Sequence, residues 1–368
     1  MNCHPHPIVL LSLFVLMMAA PAGGDNAPAV DLPACLKQSI EATRTLPYEG
    51  ILAFRRMLEE NDLSVTLKVC HTSPDEKKME ILSPETLHGI LVVQTQKALW
   101  MTPLEDKTLN EEQKKNREND ARSLRWFRVP RDDTATIGLE DIPLVVQNYI
   151  LESTQTVTVA DRPAREIHIT PIPNNRPPNS RPSLRIWIDV ETKLPLKYER
   201  FDYNGRLEER LEFKEAATGS AGVRCAISTE GLEKVFSMAD AEAEQQEIQL
   251  DFVPLKPSWL PQGFQEKFSF RWKSREGITL HTLYTDGLAR VSTFQRKQTN
   301  EEKAKQDKEP AESKDKVKKP NWAKREAFIR DLNGVHVFAV GDIPEKGILR
   351  MLYHLEPAAT PPPNPEKK

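Results

Sequence analysis

From Leu63 to Val69 the chain alternates. Leu63, Val65, Leu67 and Val69 share one face of an extended segment, and Ser64, Thr66 and Lys68 share the other. That period of two marks an antiparallel strand with one face buried and one wet. The same patterning predicts strands at 51–54, 78–81, 89–94, 98–102, 124–129, 155–159, 164–169, 184–189, 196–201 and 206–213. Val190-Glu191-Thr192-Lys193 has hairpin length between two of them, and Asn204-Gly205 supplies a tight turn before the last. Helical spacing occurs twice. Leu36, Ile40 and Thr43 follow Asp31-Leu32-Pro33 and stop before Pro47, and Asp141 to Leu151 opens on an Asp cap with Pro in its first turn. So many short strands with two helices predict a large antiparallel sheet that curls on itself.

After Phe213 the pattern breaks at a Gly, Ser and Ala cluster, so residues 31–215 read as one domain and 216–251 as a linker, acidic and partly helical over 226–247. A smaller domain, 252–356, has strands expected at 264–272, 279–284 and 289–295, with Asp286-Gly287 as the turn between the last two. A hairpin, 323–332 with 335–340, turns at Asn333-Gly334, and a closing helix over 344–355 would bury Ile348, Leu349, Leu352 and Leu355. The runs 104–123 and 300–320 are dense in charge of both signs and are expected to stay hydrated and disordered, as is the Pro-rich tail 357–368. The fold class predicted is α+β, a large N-terminal antiparallel sheet with helices and a smaller C-terminal α+β domain.

The first residues break from this alternation. Ile8 to Ala20 is an unbroken apolar run, too short for the about 20 residues that cross a bilayer core. Small residues follow it, and Ala20-Pro21-Ala22 suits cleavage after Ala22, so residues 1–22 read as a secretory signal peptide. Export puts the mature Cys35, Cys70 and Cys225 in an oxidising compartment, where a pair can close. Cys35 with Cys70 is one such pair; the alternative is that these thiols are small buried hydrophobes. A formal net charge of -3 gives no basic stripe for a nucleic acid.

Enzymatic motifs are missing. The chain has no G-x-S-x-G, G-x-x-x-x-G-K, H-E-x-x-H or G-x-G-x-x-G. The mature histidines stand singly, without metal-ligand spacing, so no cofactor or metal is expected. Aromatic residues carry more information. Trp100, Trp126, Trp187, Tyr198, Phe201 and Phe213 fall on expected strands, and several of these strands are apolar on both faces. Either helices and the second domain cover the extra apolar face, or it forms a groove for a lipid or a partner's amphipathic segment. Trp100, Trp126, Trp187, Tyr198 and Phe213 are the candidate groove residues.

Leu184 to Phe213 (LRIWIDVETKLPLKYERFDYNGRLEERLEF) resembles the closing strands of the LolA/LolB lipoprotein-carrier half-barrel. Trp259 to Phe264 (WLPQGF), Tyr284 to Phe294 (YTDGLARVSTF) and Val340 to Pro344 (VGDIP) resemble, in order and spacing, the C-terminal domain of the RseB/MucB family. This resemblance implies a lipoprotein-carrier-like half-barrel in the larger domain. It further implies a periplasmic, non-enzymatic regulator of the sigma-E envelope-stress response. Such a protein binds the periplasmic segment of a membrane-anchored anti-sigma factor and shields it from proteolysis, and lipid or lipopolysaccharide promotes release. A periplasmic lipid or lipoprotein carrier is the alternative.

Overall fold

The alternating segment at Leu63 becomes the second strand of an eleven-stranded sheet. The computed structural model describes residues 30–57, 62–73, 76–95, 98–103, 137–173, 181–237, 248–274, 276–308, 316–320 and 326–358. The leader 1–22, the charged run 104–123, the strand expected at 124–129 with Trp126, and the tail beyond 358 lie outside them. Helix α1 (Leu32–Thr45) precedes a meander of β1 (Tyr48–Arg56), β2 (Leu63–Ser73), β3 (Glu76–Ser83), β4 (Leu91–Gln94) and β5 (Ala98–Met101). Helix α2 (Ile142–Asn148) leads into a second meander, β6 (Tyr149–Val159), β7 (Arg162–Pro171), β8 (Ser183–Asp189), β9 (Pro195–Phe201) and β10 (Leu207–Thr218). The meanders join where β1 pairs antiparallel with β10. With β11 (Glu233–Ser237) added, the order is β11-β5-β4-β3-β2-β1-β10-β9-β8-β7-β6. Among the described residues β11 and β6 are edges, so the sheet stays open.

Burial follows the alternation in β2. Val65, Leu67 and Val69 are buried while Ser64 and Lys68 are exposed. The Trp-Ile-Asp end of β8 has a structural purpose. The buried Asp189 carboxylate accepts from the amides of Glu191 (3.0 Å) and Thr192 (2.6 Å) and from Arg162 Nε (2.5 Å). It thereby closes the turn into β9 that the sequence predicted.

Leu255 to Pro357 builds the smaller unit from β12 (Leu255–Pro257), β13 (Gln265–Ser274), β14 (Gly277–Thr285), β15 (Arg290–Lys297), helix α3 (Asn300–Lys308), β16 (Ala327–Leu332), β17 (Val335–Gly341), helix α4 (Glu345–Tyr353) and β18 (Leu355–Pro357). Five strands form a sheet in the order β13-β14-β15-β17-β16, and β12 pairs with β18. Ile348, Met351 and Leu352 of α4 pack on Val291, Val337 and Ala339 of that sheet. Leu349, expected on the buried face, is only half-buried, and Met351, three residues after the buried Ile348, takes a core position instead.

Three expectations are corrected. Part of the expected linker is strand: β11 pairs with β5, bringing Lys234 opposite Trp100. The run 300–320 is not wholly disordered, because α3 occupies its first nine positions. That helix has no apolar stripe and is held by polar bonds at its start. Thr299 Oγ1 accepts from the Glu302 amide (3.2 Å) and Glu302 Oε2 accepts from the Thr299 amide (2.9 Å), a capping box. Arg296 also donates twice to Glu302, at 2.6 and 2.7 Å, and holds that carboxyl down to about 2. Finally, the disulfide is Cys70–Cys225 and not Cys35–Cys70. Cys70 faces the segment that follows β10, whereas Cys35 is a buried free thiol on α1, in the separate apolar cluster formed with β6 to β9.

Candidate functional site

The buried stripe of α1 lies against the inner face of the large sheet and leaves a slot between them. Leu36 and Ile40 form its roof, while Tyr48 and Leu52 of β1, Leu67 and Val69 of β2, and Met79 of β3 form one wall. Leu184 and Ile186 of β8, Tyr198 of β9, and Leu211 and Phe213 of β10 close the other side. Its volume is about 80 Å³. A single water needs roughly 10–15 Å³ on that measure, and an apolar cavity tends to stay dry. The slot is therefore narrow and apolar. Among its polar lining side chains, which include Thr43 and Lys77, Ser39 is 1% exposed and its Oγ finds no hydrogen-bond partner among the described residues. The Tyr198 hydroxyl donates to Glu209, and burial, reinforced by that carboxylate, pushes its pKa well above the ordinary tyrosine value.

Two of the five expected groove residues, Tyr198 and Phe213, line this slot. Trp187 does not. It is 7% exposed in the larger apolar cluster, with Lys197 Nζ 4.2 Å from its ring centroid. Strand alternation explains the separation, since Trp187 pairs with Lys197 and its neighbour Ile186 pairs with Tyr198, so the two pairs point to opposite faces. Trp100 is half-buried on β5 beside β11, away from the slot. The roof residues Leu36, Ser39 and Ile40 were not among the candidates. Their helical spacing was readable, but the face that α1 covers depends on tertiary packing.

The smaller sheet meets this region through its Asp286-Gly287 turn. Asp286 is fully buried. Its carboxylate accepts from the Tyr149 hydroxyl (2.9 and 3.1 Å), from the amides of Leu288 (3.1 Å) and Ala289 (2.8 Å), and pairs with Arg181 Nη1 at 2.7 Å. Asn148 Nδ2 donates to the Asp286 carbonyl at 3.0 Å, and Arg181 donates also to the Gln262 carbonyl. Burial raises the Asp286 pKa, opposed by Arg181 and the turn amides, and burial also pushes the Tyr149 phenol well above its usual value. Gly287 sits at φ +106°, and a Cβ there would fall 2.6 Å from the Val145 amide. Only glycine combines that backbone with so close an approach. Around this turn, Arg200 bonds Asp342 (2.6 Å) and the Leu288 carbonyl (3.3 Å), and Lys267 pairs with Asp141 (2.7 Å).

Slot and junction share a core. Leu36 and Ile40 of the roof, Val145 and Tyr149 beside the turn, Tyr198 of the slot wall and Leu288 of the smaller sheet belong to one apolar cluster. The described residues from Leu32 onward accordingly group as one compact unit. The slot and the seat of the smaller sheet therefore draw on the same packed side chains. The chemistry available here is binding by an apolar surface with few polar anchors.

Similarity to known proteins agrees with this geometry. The family model of the MucB/RseB N-terminal domain matches residues 31–246. The sigma factor AlgU regulatory protein MucB of Pseudomonas aeruginosa is 32% identical over 139 residues, which is 37% of this chain and 40% of that protein. The match thus spans well under two thirds of that relative. Among solved structures, the Pseudomonas aeruginosa MucA/MucB complex aligns with a TM-score of 0.58 at 18% identity, and MucB in complex with MucA(peri) with 0.56 at 18% identity. Each alignment covers 90% of this chain and 100% of the compared one. At that identity the likeness is one of fold, and it runs through both sheets. The match over residues 31–246 settles the family: the chain belongs to the MucB/RseB family.

Proposed function

We propose that this protein is an exported, non-enzymatic regulator. It binds the extracytoplasmic segment of a membrane-anchored anti-sigma factor and shields it from proteolysis in an envelope-stress response. The supporting observation is membership of the MucB/RseB family over residues 31–246, together with a whole-chain fold like that of MucB bound to MucA(peri). Residues 1–22 act as the export signal, and the periplasm is the compartment. A standard interface of about 1,600 Å² is enough for a stable complex. In this reading the slot under α1 senses lipid. An acyl chain entering it lifts Leu36 and Ile40, loosens the cluster that includes Leu288, and weakens the hold on the partner.

A second reading, a lipid or lipoprotein carrier, draws support from the same slot. It gives no task to the five-stranded sheet. A protease-protection assay tests the first reading. The extracytoplasmic segment of the anti-sigma factor is digested alone and with one equivalent of the protein. The expected outcome is cleavage slowed at least about tenfold; equal rates of cleavage overturn the proposal.

A further inference from the structure

The slot under α1 has two ends of different chemistry. Its closed end is apolar, where Leu36, Leu184 and Tyr198 join the cluster that contains Leu288. Its other end carries Lys77, the one charged residue among the described residues of the lining. Alternation along β3 sets Lys77 on the same face as Met79. The strand register sets it opposite His71 of β2, whose Nδ1 lies 2.7 Å from the Leu46 carbonyl just beyond α1. Lys77 therefore stands at the rim, beside the C-terminal end of the helix. It is half-buried, so its stem covers apolar wall while the ammonium reaches toward water. Among the described residues no carboxylate pairs with it.

A second anchor lies deeper. Ser39 precedes Thr43 by four residues on α1, so both share one face and Ser39 lies about 6 Å further along the helix axis. Thr43 donates its hydroxyl to the Ile40 carbonyl at 2.6 Å. Ser39 Oγ has no such bond among the described residues, although its side chain is buried. A serine in mid-helix ordinarily bonds the carbonyl four residues back or faces solvent, and this one does neither. Buried hydroxyls without partners are rare enough in folded proteins to call for a reason. Occupancy of the slot supplies one. A methylene chain alone would leave Ser39 unpaired, whereas an acyl carbonyl at that depth accepts its hydrogen.

We propose that the slot takes the single chain of an anionic monoacyl glycerophospholipid. The alkyl tail fills the closed end, the ester carbonyl accepts from Ser39, and the phosphate at the rim accepts from Lys77. This rests on the reading of the slot as a lipid sensor and names the lipid. Three observations select the class. A space of about 80 Å³ admits one chain, and the second chain of a membrane-forming lipid would have to stay in water. An unpaired ammonium at the rim favours an anionic head over a zwitterionic one, through a charge-assisted bond. A carbonyl set below a separate anion matches two polar anchors at two depths. A free fatty acid has one polar group and leaves either Ser39 or Lys77 unmatched.

Isothermal titration of the full chain with 1-myristoyl lysophosphatidylglycerol, held below its micelle concentration, tests this. Saturation is expected with a dissociation constant on the order of 10⁻⁵ M. The 1-O-alkyl ether analogue, which lacks the carbonyl, should bind several-fold more weakly, and so should lysophosphatidylcholine. Lys77→Gln should weaken binding by about tenfold. Ser39→Ala should weaken it several-fold and abolish the preference for ester over ether. Neither substitution removes an ion pair or hydrogen bond from the folded protein among the described residues, so the melting temperature should hold while affinity falls. Absence of saturation by 1 mM, about a hundred times the expected constant, overturns the proposal, as does parental affinity in both variants. Binding of myristate or of dimyristoyl phosphatidylglycerol vesicles without the monoacyl lipid overturns the ligand assignment and leaves the slot a lipid site. If no lipid of the set binds, the sensing role of the slot falls as well.

Discussion

Arg181→Ala is expected to lower stability by about 3–5 kcal/mol, the cost of removing one partner from a buried ion pair. The reason lies in what remains. Asp286 is fully buried, and without Arg181 its charge would be balanced only by the Tyr149 hydroxyl and the amides of Leu288 and Ala289. Burial already pushes this carboxyl upward, and Arg181 opposes that rise. In the variant the folded-state pKa therefore climbs further above the unfolded one. An acid whose pKa is raised by folding stabilises the folded state while protonated and loses that contribution as pH rises. The deficit against the parent should thus be smallest near the ordinary Asp value of 3.8 and largest at neutral pH. Urea denaturation of both proteins across that range measures it. A deficit under about 1 kcal/mol at pH 7 would mean that the junction does not fix the two sheets together.

Trp187→Ala carries the second large effect, a loss of about 3–5 kcal/mol as for other buried aromatic residues. Trp187 is a core side chain beneath Lys197, on the face opposite Ile186 and the slot. Because it does not line the slot, the variant should keep whatever the slot binds, provided it is assayed below its lowered melting temperature. Phe213→Ala is the contrasting control. It removes slot wall as well as core, so stability and binding should fall together. A Trp187→Ala protein as stable as the parent but unable to bind would reverse the assignment and put this ring in the groove.

Local chemistry explains which parts of the fold were legible in the sequence. The alternation of Leu63 to Val69, the turns at Asn204-Gly205, Asp286-Gly287 and Asn333-Gly334, and the Asp189 end of β8 each act over a few residues, and each occurs where the pattern put it. Non-local features were not legible. Glu233–Ser237 is too short and polar to show a strand period, and it is a strand because β5 offers it an edge. Cys70 and Cys225 are 155 residues apart, a separation that no spacing rule selects. Helix α3 did carry a local sign, the Thr299-x-x-Glu302 capping box, which the surrounding run of charge obscured. The candidate site divides the same way. Tyr198 and Phe213 stood out as aromatic residues on strands, whereas Ser39 and the α1 roof acquire their meaning only once the helix is laid on the sheet. Arg181 and Asp286 meet across more than a hundred residues of sequence, and neither is marked by its neighbours.

In the proposed function, the folded chain holds the extracytoplasmic segment of an anti-sigma factor. Isothermal titration of the protein with that segment is the most direct test. Saturable one-to-one binding is predicted, with a dissociation constant of about 1 μM or tighter. A flat titration at about 100 μM of both components, with the protein folded and its disulfide intact, would contradict it.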